Sequence, residues 1–235
     1  MSIFYFKHFK LHQSYSLLKV GTDAMLLGAM VKADSETKTI LDIGTGTGVL
    51  ALMLAQRFTN AKIDAIEIDS KSCLDAKQNF EASKWSNRLN LIQSDVLTFQ
   101  FIQQYNLIVS NPPYYEQAYF DEQKKQHTAK HSELRLSLIK LFDVVLMNLS
   151  DNGVFWVILP SDNFSKWTEY LNSRGLFVNN QINIYGKPQN LKRVVVCFSR
   201  RNIGLQLTNF TIRDENGNYT EAYRNLTIDY HHTKI

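Results

Sequence analysis

Cysteine is nearly absent: the 235-residue chain has two, Cys73 and Cys197, far apart and in no C-x-x-C arrangement. That argues against a disulfide framework or a thiolate zinc site and fits a reducing compartment. Proline is scarce as well, four in all, and two of the four are adjacent at Pro112-Pro113. No uninterrupted apolar run approaches the ~18 residues that a membrane span requires. The opening "MSIFYFKHFKLHQ" scatters Lys and His among its aromatics, so it lacks the apolar stretch of a secretory leader. Internal repeats and low-complexity segments are missing too. Nor does one charge sign dominate: 26 Lys and Arg against 22 Asp and Glu leave +4, with the histidines neutral. Such a balance is compatible with an anionic partner and is weak evidence alone. The expectation is a cytoplasmic globular protein with no membrane association.

What the chain does have is alternation. From Lys38 onward, "TILDI", "KIDAIEI", "LNLIQSD", "YNLIVS" and "GVFWVILP" read as strands. Between them "VLALMLAQRF", "SKSCLDAKQNFEAS" and "SLIKLFDVVLMNL" read as helices, the second with Asp69 at its cap. Near-continuous apolar strands separated by helices predict a parallel sheet covered on both faces. After Pro160 the rhythm changes. Residues 161–175 predict one more helix, and 177–185 and 191–199, joined by "GKPQN", predict an antiparallel hairpin at the sheet edge. The fold class is therefore α/β, a Rossmann-like doubly wound, mostly parallel sheet with an antiparallel edge hairpin. Upstream, "KVGTDAMLLGAMV" predicts a short helix with Thr22 or Asp23 as its cap and Met25, Leu26, Met30 and Val31 on its apolar face. Residues 205–235 add strand-like pieces and the polar turn "DENGN". One domain spans 1–235: a lead-in over 1–37, a catalytic core over 38–200 and an extension over 201–235.

"LDIGTGTGVLAL" is a strand, a glycine turn and a helix start. Gly44, Gly46 and Gly48 permit a tight turn and close approach of a ligand to backbone. A dinucleotide fingerprint would need its third glycine at position 49, which is Val49, and the Gly-Lys-Ser/Thr of a phosphate loop is absent. Asp42, at the strand end, would repel a phosphate, so the loop suits a neutral or cationic ligand. Glu67 ends the next strand, where a carboxylate can accept from both hydroxyls of a ribose. Asp95 follows the third strand and could accept from an exocyclic amine; a cap or turn role is as good a reading. Three acids at three successive strand ends, with the glycine loop, converge on one crevice.

The fourth strand ends in Asn111-Pro112-Pro113-Tyr114. Adjacent prolines remove two donors and fix two φ angles, so neither helix nor inner strand continues here. With "DIGTGTG" and "NPPY" in this order, residues 19–160 resemble the class I S-adenosylmethionine-dependent methyltransferases that act on planar amino groups. The resemblance implies that the Asn111 side-chain oxygen and the Pro112 carbonyl each accept one amino hydrogen and steer the nitrogen lone pair toward the sulfonium methyl. It implies that Tyr114 stacks on the base. No general base is then needed, because the proton turns acidic as the nitrogen gains positive charge. Members of this class methylate adenine N6 in DNA, guanine N2 in ribosomal RNA, or the glutamine side chain of release factors.

"KVGTDAMLLGAMV", "SNPPYY", "AKHSELRLSL" and "LKRVVVCFSR" together look like the bacterial valine-tRNA adenine-37 N6-methyltransferase family, over nearly the whole chain. That similarity implies S-adenosylmethionine as donor and tRNA as substrate; no metal is expected, as the histidine pattern below gives it no support. It puts Lys19, Thr22 and Asp23 over the methionine end of the donor, and a flap over 115–133 beside the amino clamp. Release-factor glutamine is the alternative; those enzymes usually carry a separate helical domain ahead of the glycine loop, for which only about forty residues are present here. Candidate phosphate contacts are Lys124, Lys125, Lys130, Arg135, Lys187, Lys192, Arg193, Arg200 and Arg201, with Tyr115 and Tyr119 as candidate stacking residues. His127 and His131 have no acid in a zinc-binding arrangement, and His231-His232 reads as a loose tail. A monomer is the default expectation, as no long hydrophobic zipper is visible.

Overall fold

The computed structural model describes residues 2–16, 19–112 and 139–231. Two short strands, β1 (Ile3–Tyr5) and β2 (Lys10–His12), pair as a hairpin before α1 (Thr22–Met30). The alternating core follows: β3 (Thr39–Ile43), α2 (Val49–Arg57), β4 (Lys62–Glu67), α3 (Ser70–Glu81), β5 (Leu89–Gln93) and β6 (Tyr105–Ser110). A helix α4 (139–148) leads into β7 (Leu149–Pro160), then α5 (Phe164–Ser173), β8 (Phe177–Tyr185), β9 (Leu191–Ser199), β10 (Gln206–Thr211) and α6 (Glu221–Thr227).

Eight strands form one sheet in the order β10-β8-β9-β7-β6-β3-β4-β5. β3, β4, β5, β6 and β7 are mutually parallel, and β9 runs antiparallel to both β7 and β8. The predicted hairpin exists, but it is not the edge: β10 adds outside β8 in parallel. Two cores explain the continuous apolar runs. Along β9, Val195 and Cys197 join the core beneath α1, α2 and α3, while Val194, Val196 and Phe198 join the one beneath α4 and α5. A strand buried on both faces has no polar alternation to show.

Helix ends are closed by arginines. Arg57 donates to the Gly28 and Val31 carbonyls at 2.7 Å each and closes α1; Arg88 donates to Ala55, Phe58 and Ala61 and closes α2. Arg200 does the same for α4 through Leu146 and Leu149, so this candidate phosphate contact is committed to the fold.

Several expectations need correction. Neither Thr22 nor Asp23 caps α1; Gly21 holds the cap position with no side-chain bond, and both residues lie inside the first turn. Residues 161–163 form a 3-10 turn before α5, which ends before Gly175 at φ +80. The segment after β10 contains a helix, α6, where strand-like pieces were expected; Thr220 caps it by accepting from the Tyr223 N–H at 3.2 Å. His231 is no loose tail: it bridges Phe6 and lies 6.2 Å from the Tyr223 ring. Among the described residues no helix is long and apolar enough to cross a membrane.

Candidate active site

Parallel strands end at one edge of the sheet, and the order reverses between β3 and β6, which opens a crevice there. The register fills it. Ile43 pairs with Ser110 on one side and Ile66 on the other, so the glycine loop, the Asn111-Pro112 step and Glu67 all leave the sheet at the same level. The Ser110 hydroxyl donates to the Ile43 carbonyl at 3.0 Å and ties the two exits together.

The loop turns on three positive φ angles, +70 at Gly44, +57 at Gly46 and +82 at Gly48. Gly44 and Thr45 donate to the Ile66 carbonyl, and Gly46 N–H donates to Glu67 Oε2 at 2.9 Å. A side chain at Gly44 or Gly46 would meet nothing within 4 Å, whereas one at Gly48 would strike the Phe80 ring at 2.4 Å. The first two glycines thus leave backbone open to a ligand, and the third admits α3 against α2.

Asp42 lies beneath the loop, fully buried. Its Oδ2 accepts from the Thr45 hydroxyl at 2.6 Å and the Ala51 N–H at 3.2 Å, while Oδ1 has no partner among the described residues. Burial, opposed by those two bonds and aided by the Glu67 charge, raises its pKa to about 7. Glu67 Oε1 takes the N–H groups of Ile68 and Asp69 at 2.9 Å each, so this carboxylate braces the loop as well as ending β4. Asp69 caps α3 as expected, and hydrogen bonds from Ser72 hold its carboxyl below the usual range. Asp95 accepts from Leu97 N–H at 2.9 Å through Oδ1 in a turn beyond β5.

Asn111 is half-buried and Pro112 buried directly after β6. Pro113, Tyr114, Tyr115, Tyr119, Lys124, Lys125, His127, Lys130, His131 and Arg135, with the rest of the expected flap, lie outside the described residues. Asp23 pairs with Arg193 of β9, Nε to Oδ2 2.9 Å. Lys19 Nζ donates to the carbonyls of Gln13 and Ser16. Thr22 is exposed in the first turn of α1.

Two side chains that sequence reasoning passed over join these parts. Asn79 of α3, 1% exposed, accepts from His12 N–H at 2.7 Å and donates to the carbonyls of His12 and of Thr47 in the glycine loop. Asp75, one turn earlier and 0% exposed, accepts from the N–H groups of Ser14, Tyr15 and Ser16 and from the Ser16 hydroxyl. The signal was present: Asp75 and Asn79, four apart, occupy the same buried stripe as Cys73, Ala76 and Phe80.

The arrangement fits S-adenosylmethionine. Open glycine backbone suits close approach, acids at two strand ends can accept from ribose hydroxyls and a base amine, and a buried carboxyl group lies beneath a loop with no lysine in it. Thiol chemistry is poorly served, since burial pushes Cys73 up to about 11 and Cys197 up to about 12.

Residues 12–158 match the methyltransferase small domain family. A tRNA1(Val) (adenine(37)-N6)-methyltransferase of Trichodesmium erythraeum is 39% identical over 97% of each chain. The enzyme of that name in Photorhabdus laumondii is 36% identical over 97% of this chain and 94% of its own. Among solved structures, a predicted O-methyltransferase of Agrobacterium tumefaciens superposes with a TM-score of 0.66 at 18% identity, covering 88% of this chain and 96% of that one. A TehB-like SAM-dependent methyltransferase of Corynebacterium glutamicum gives 0.52 at 16%, over 78% and 89%. At those identities the structural likeness shows the fold alone.

Proposed function

We propose, because the chain belongs to the methyltransferase small domain family and to that of the tRNA1(Val) (adenine(37)-N6)-methyltransferases, that it methylates N6 of adenine 37 in a valine tRNA. The observation that carries this reading is the exit of Asn111-Pro112 beside the glycine loop, fixed by the Ile43–Ser110 register. S-adenosylmethionine supplies an electrophilic methyl group on a positively charged sulfur.

The chain's own residues then have two tasks. Adenine N6 is a poor nucleophile, since its lone pair is delocalised into the ring. The Asn111 oxygen and the Pro112 carbonyl accept hydrogen bonds from its two hydrogens and turn the lone pair toward the methyl; as the N–C bond forms and the S–C bond breaks, S-adenosylhomocysteine leaves with the sulfur's electron pair and the nitrogen's now acidic proton passes to water. Proline rigidity keeps the carbonyl aimed, an orientation effect that a loose loop would forfeit. Tyr114 is assigned the stacking role by its sequence position. The second task is holding the donor: Gly44, Gly46 and Gly48 through backbone, Glu67 at the ribose, Asp95 at the base amine, Asp42 beneath the loop, and Lys19, Thr22 and Asp23 at the methionine end.

The test is transfer of labelled methyl to total tRNA from a strain lacking the gene, with mass spectrometry of the nucleosides. N6-methyladenosine at position 37 of valine tRNA is the expected product. Asn111→Ala lowers kcat by about 10²–10³-fold and leaves donor affinity by calorimetry unchanged. Unlabelled tRNA with a labelled release factor would move the substrate to a glutamine amide.

A further inference from the structure

The geometry points to Asp75 and Asn79 as positioning residues that set donor affinity by fastening residues 12–16, and through them Lys19 and Val20, to the glycine loop. The inference rests on the reading of the crevice as the donor site, not on which nucleic acid is methylated.

The links form a continuous path. Three successive backbone N–H groups, Ser14 at 3.1 Å, Tyr15 at 3.0 Å and Ser16 at 2.8 Å, converge on the Asp75 carboxylate. Such a concave run of N–H groups is an anion nest, here occupied by a side chain of the same protein. Among the described residues no cation pairs with Asp75, so the turn's own N–H groups satisfy the carboxylate, and the carboxylate in turn holds the turn. The turn's carbonyls pass the constraint on: Gln13 and Ser16 both accept from Lys19 Nζ. The Gln13 side chain, 7% exposed, accepts from Val20 N–H at 2.9 Å. Lys19 and the entry to α1 at Thr22 are therefore placed by a residue of α3.

Asn79 supplies the other half. Its amide grips both backbone groups of His12 and the carbonyl of Thr47. The amide is spent twice on the lead-in and once on the loop, so the two sides of the crevice cannot separate without breaking a buried bond. A carboxylate and an amide buried in a helix stripe are costly unless satisfied. Here every bond they make is to the two segments that flank the donor site.

The experiment is calorimetric titration of S-adenosylmethionine and S-adenosylhomocysteine into the full chain and Asp75→Asn. The amide keeps the shape of the carboxylate, removes its charge and leaves one acceptor oxygen. Donor affinity is expected to fall roughly tenfold, as for weakening of two charge-assisted bonds. At saturating donor, kcat and the KM for tRNA stay within twofold of the parent. Ser16→Ala, which removes one of the four bonds, shifts affinity in the same direction by roughly threefold. Leu171→Ala, in the core on the other face of the sheet, serves as the matched control: it lowers Tm comparably and leaves donor affinity unchanged. Equal donor affinity in parent and Asp75→Asn overturns the proposal, and so does an equal loss in Leu171→Ala. Failure of the parent to bind either ligand would instead overturn the donor-site reading itself.

Discussion

Asp42 is a carboxyl group shut away from water, with one oxygen accepting hydrogen bonds from Thr45 and Ala51 and the other without a partner among the described residues. Its pKa, raised from 3.8 to about 7, means that the folded state holds a proton that the unfolded state has released. Between pH 4 and 7 the unfolded chain therefore binds fewer protons, and stability falls as pH rises through that window. From pH 5 to pH 8 the loss is about 2–3 kcal/mol. Burial lowers the pKa of His231, which acts in the opposite sense below pH 6.5, so the contrast belongs between parent and Asp42→Asn. Urea melts are expected to show the parent losing that stability over the window, and the variant staying flat by comparison. The acid itself was legible in "LDIGTG"; its depth was not. Nothing in the local sequence says that α2 folds its Ala51 N–H over the same carboxylate.

At the scale of elements, the glycine loop separates two kinds of need. Gly44 and Gly48 share the same backbone strain, which for an alanine costs about 1–2 kcal/mol. Only Gly48 also has a ring in the way, and overpacking adds about 1–3 kcal/mol. Gly48→Ala is thus expected to lower the urea-derived stability by about 3 kcal/mol, clearly more than Gly44→Ala. Gly44→Ala should instead lose donor affinity by calorimetry, because its new methyl occupies open space at the site. The strands were readable because apolar runs bounded by turns leave few alternatives; β6, β8 and β9 match their expected limits. What escaped were features set by distant partners. α6 is short, and its Thr220 cap also donates to the Thr211 carbonyl of β10 at 2.7 Å. Asp23 read as a cap because Arg193, its partner, is 170 residues away.

For the molecule as a whole, the strand register sorts the basic residues. Arg193 pairs with Pro160, so Lys187, Lys192 and the turn between β8 and β9 stand at the edge where β6 delivers Asn111. Ser199 pairs with Val154 and Phe177, which puts Arg200 and Arg201 at the opposite edge. Charge at the site edge stands nearest the phosphates of an RNA whose base enters at Asn111. Against the two lysines stand Asp214 and Glu215 of the adjoining turn, where Arg213 N–H donates to Gly186. Replacing Lys187 and Lys192 together by Ala is expected to raise the KM for tRNA roughly fivefold and flatten its salt dependence. Arg201→Ala should leave both unchanged, as steady-state assays across a salt series would show.

The lead-in hairpin also has a partner at the other end of the chain. Lys7 N–H donates to the Tyr230 carbonyl, Phe6 bridges His231, and both regions share one apolar core with α1 and α2. Contacts between Lys7 and Ile228 span 221 residues of sequence. During synthesis these contacts can form only after residues 228–231 have left the ribosome. The eight-stranded sheet and the glycine loop lie in sequence between these two regions, so a nascent chain can assemble them first. The lead-in hairpin, by contrast, gains these neighbours only with α6 and the residues that follow it.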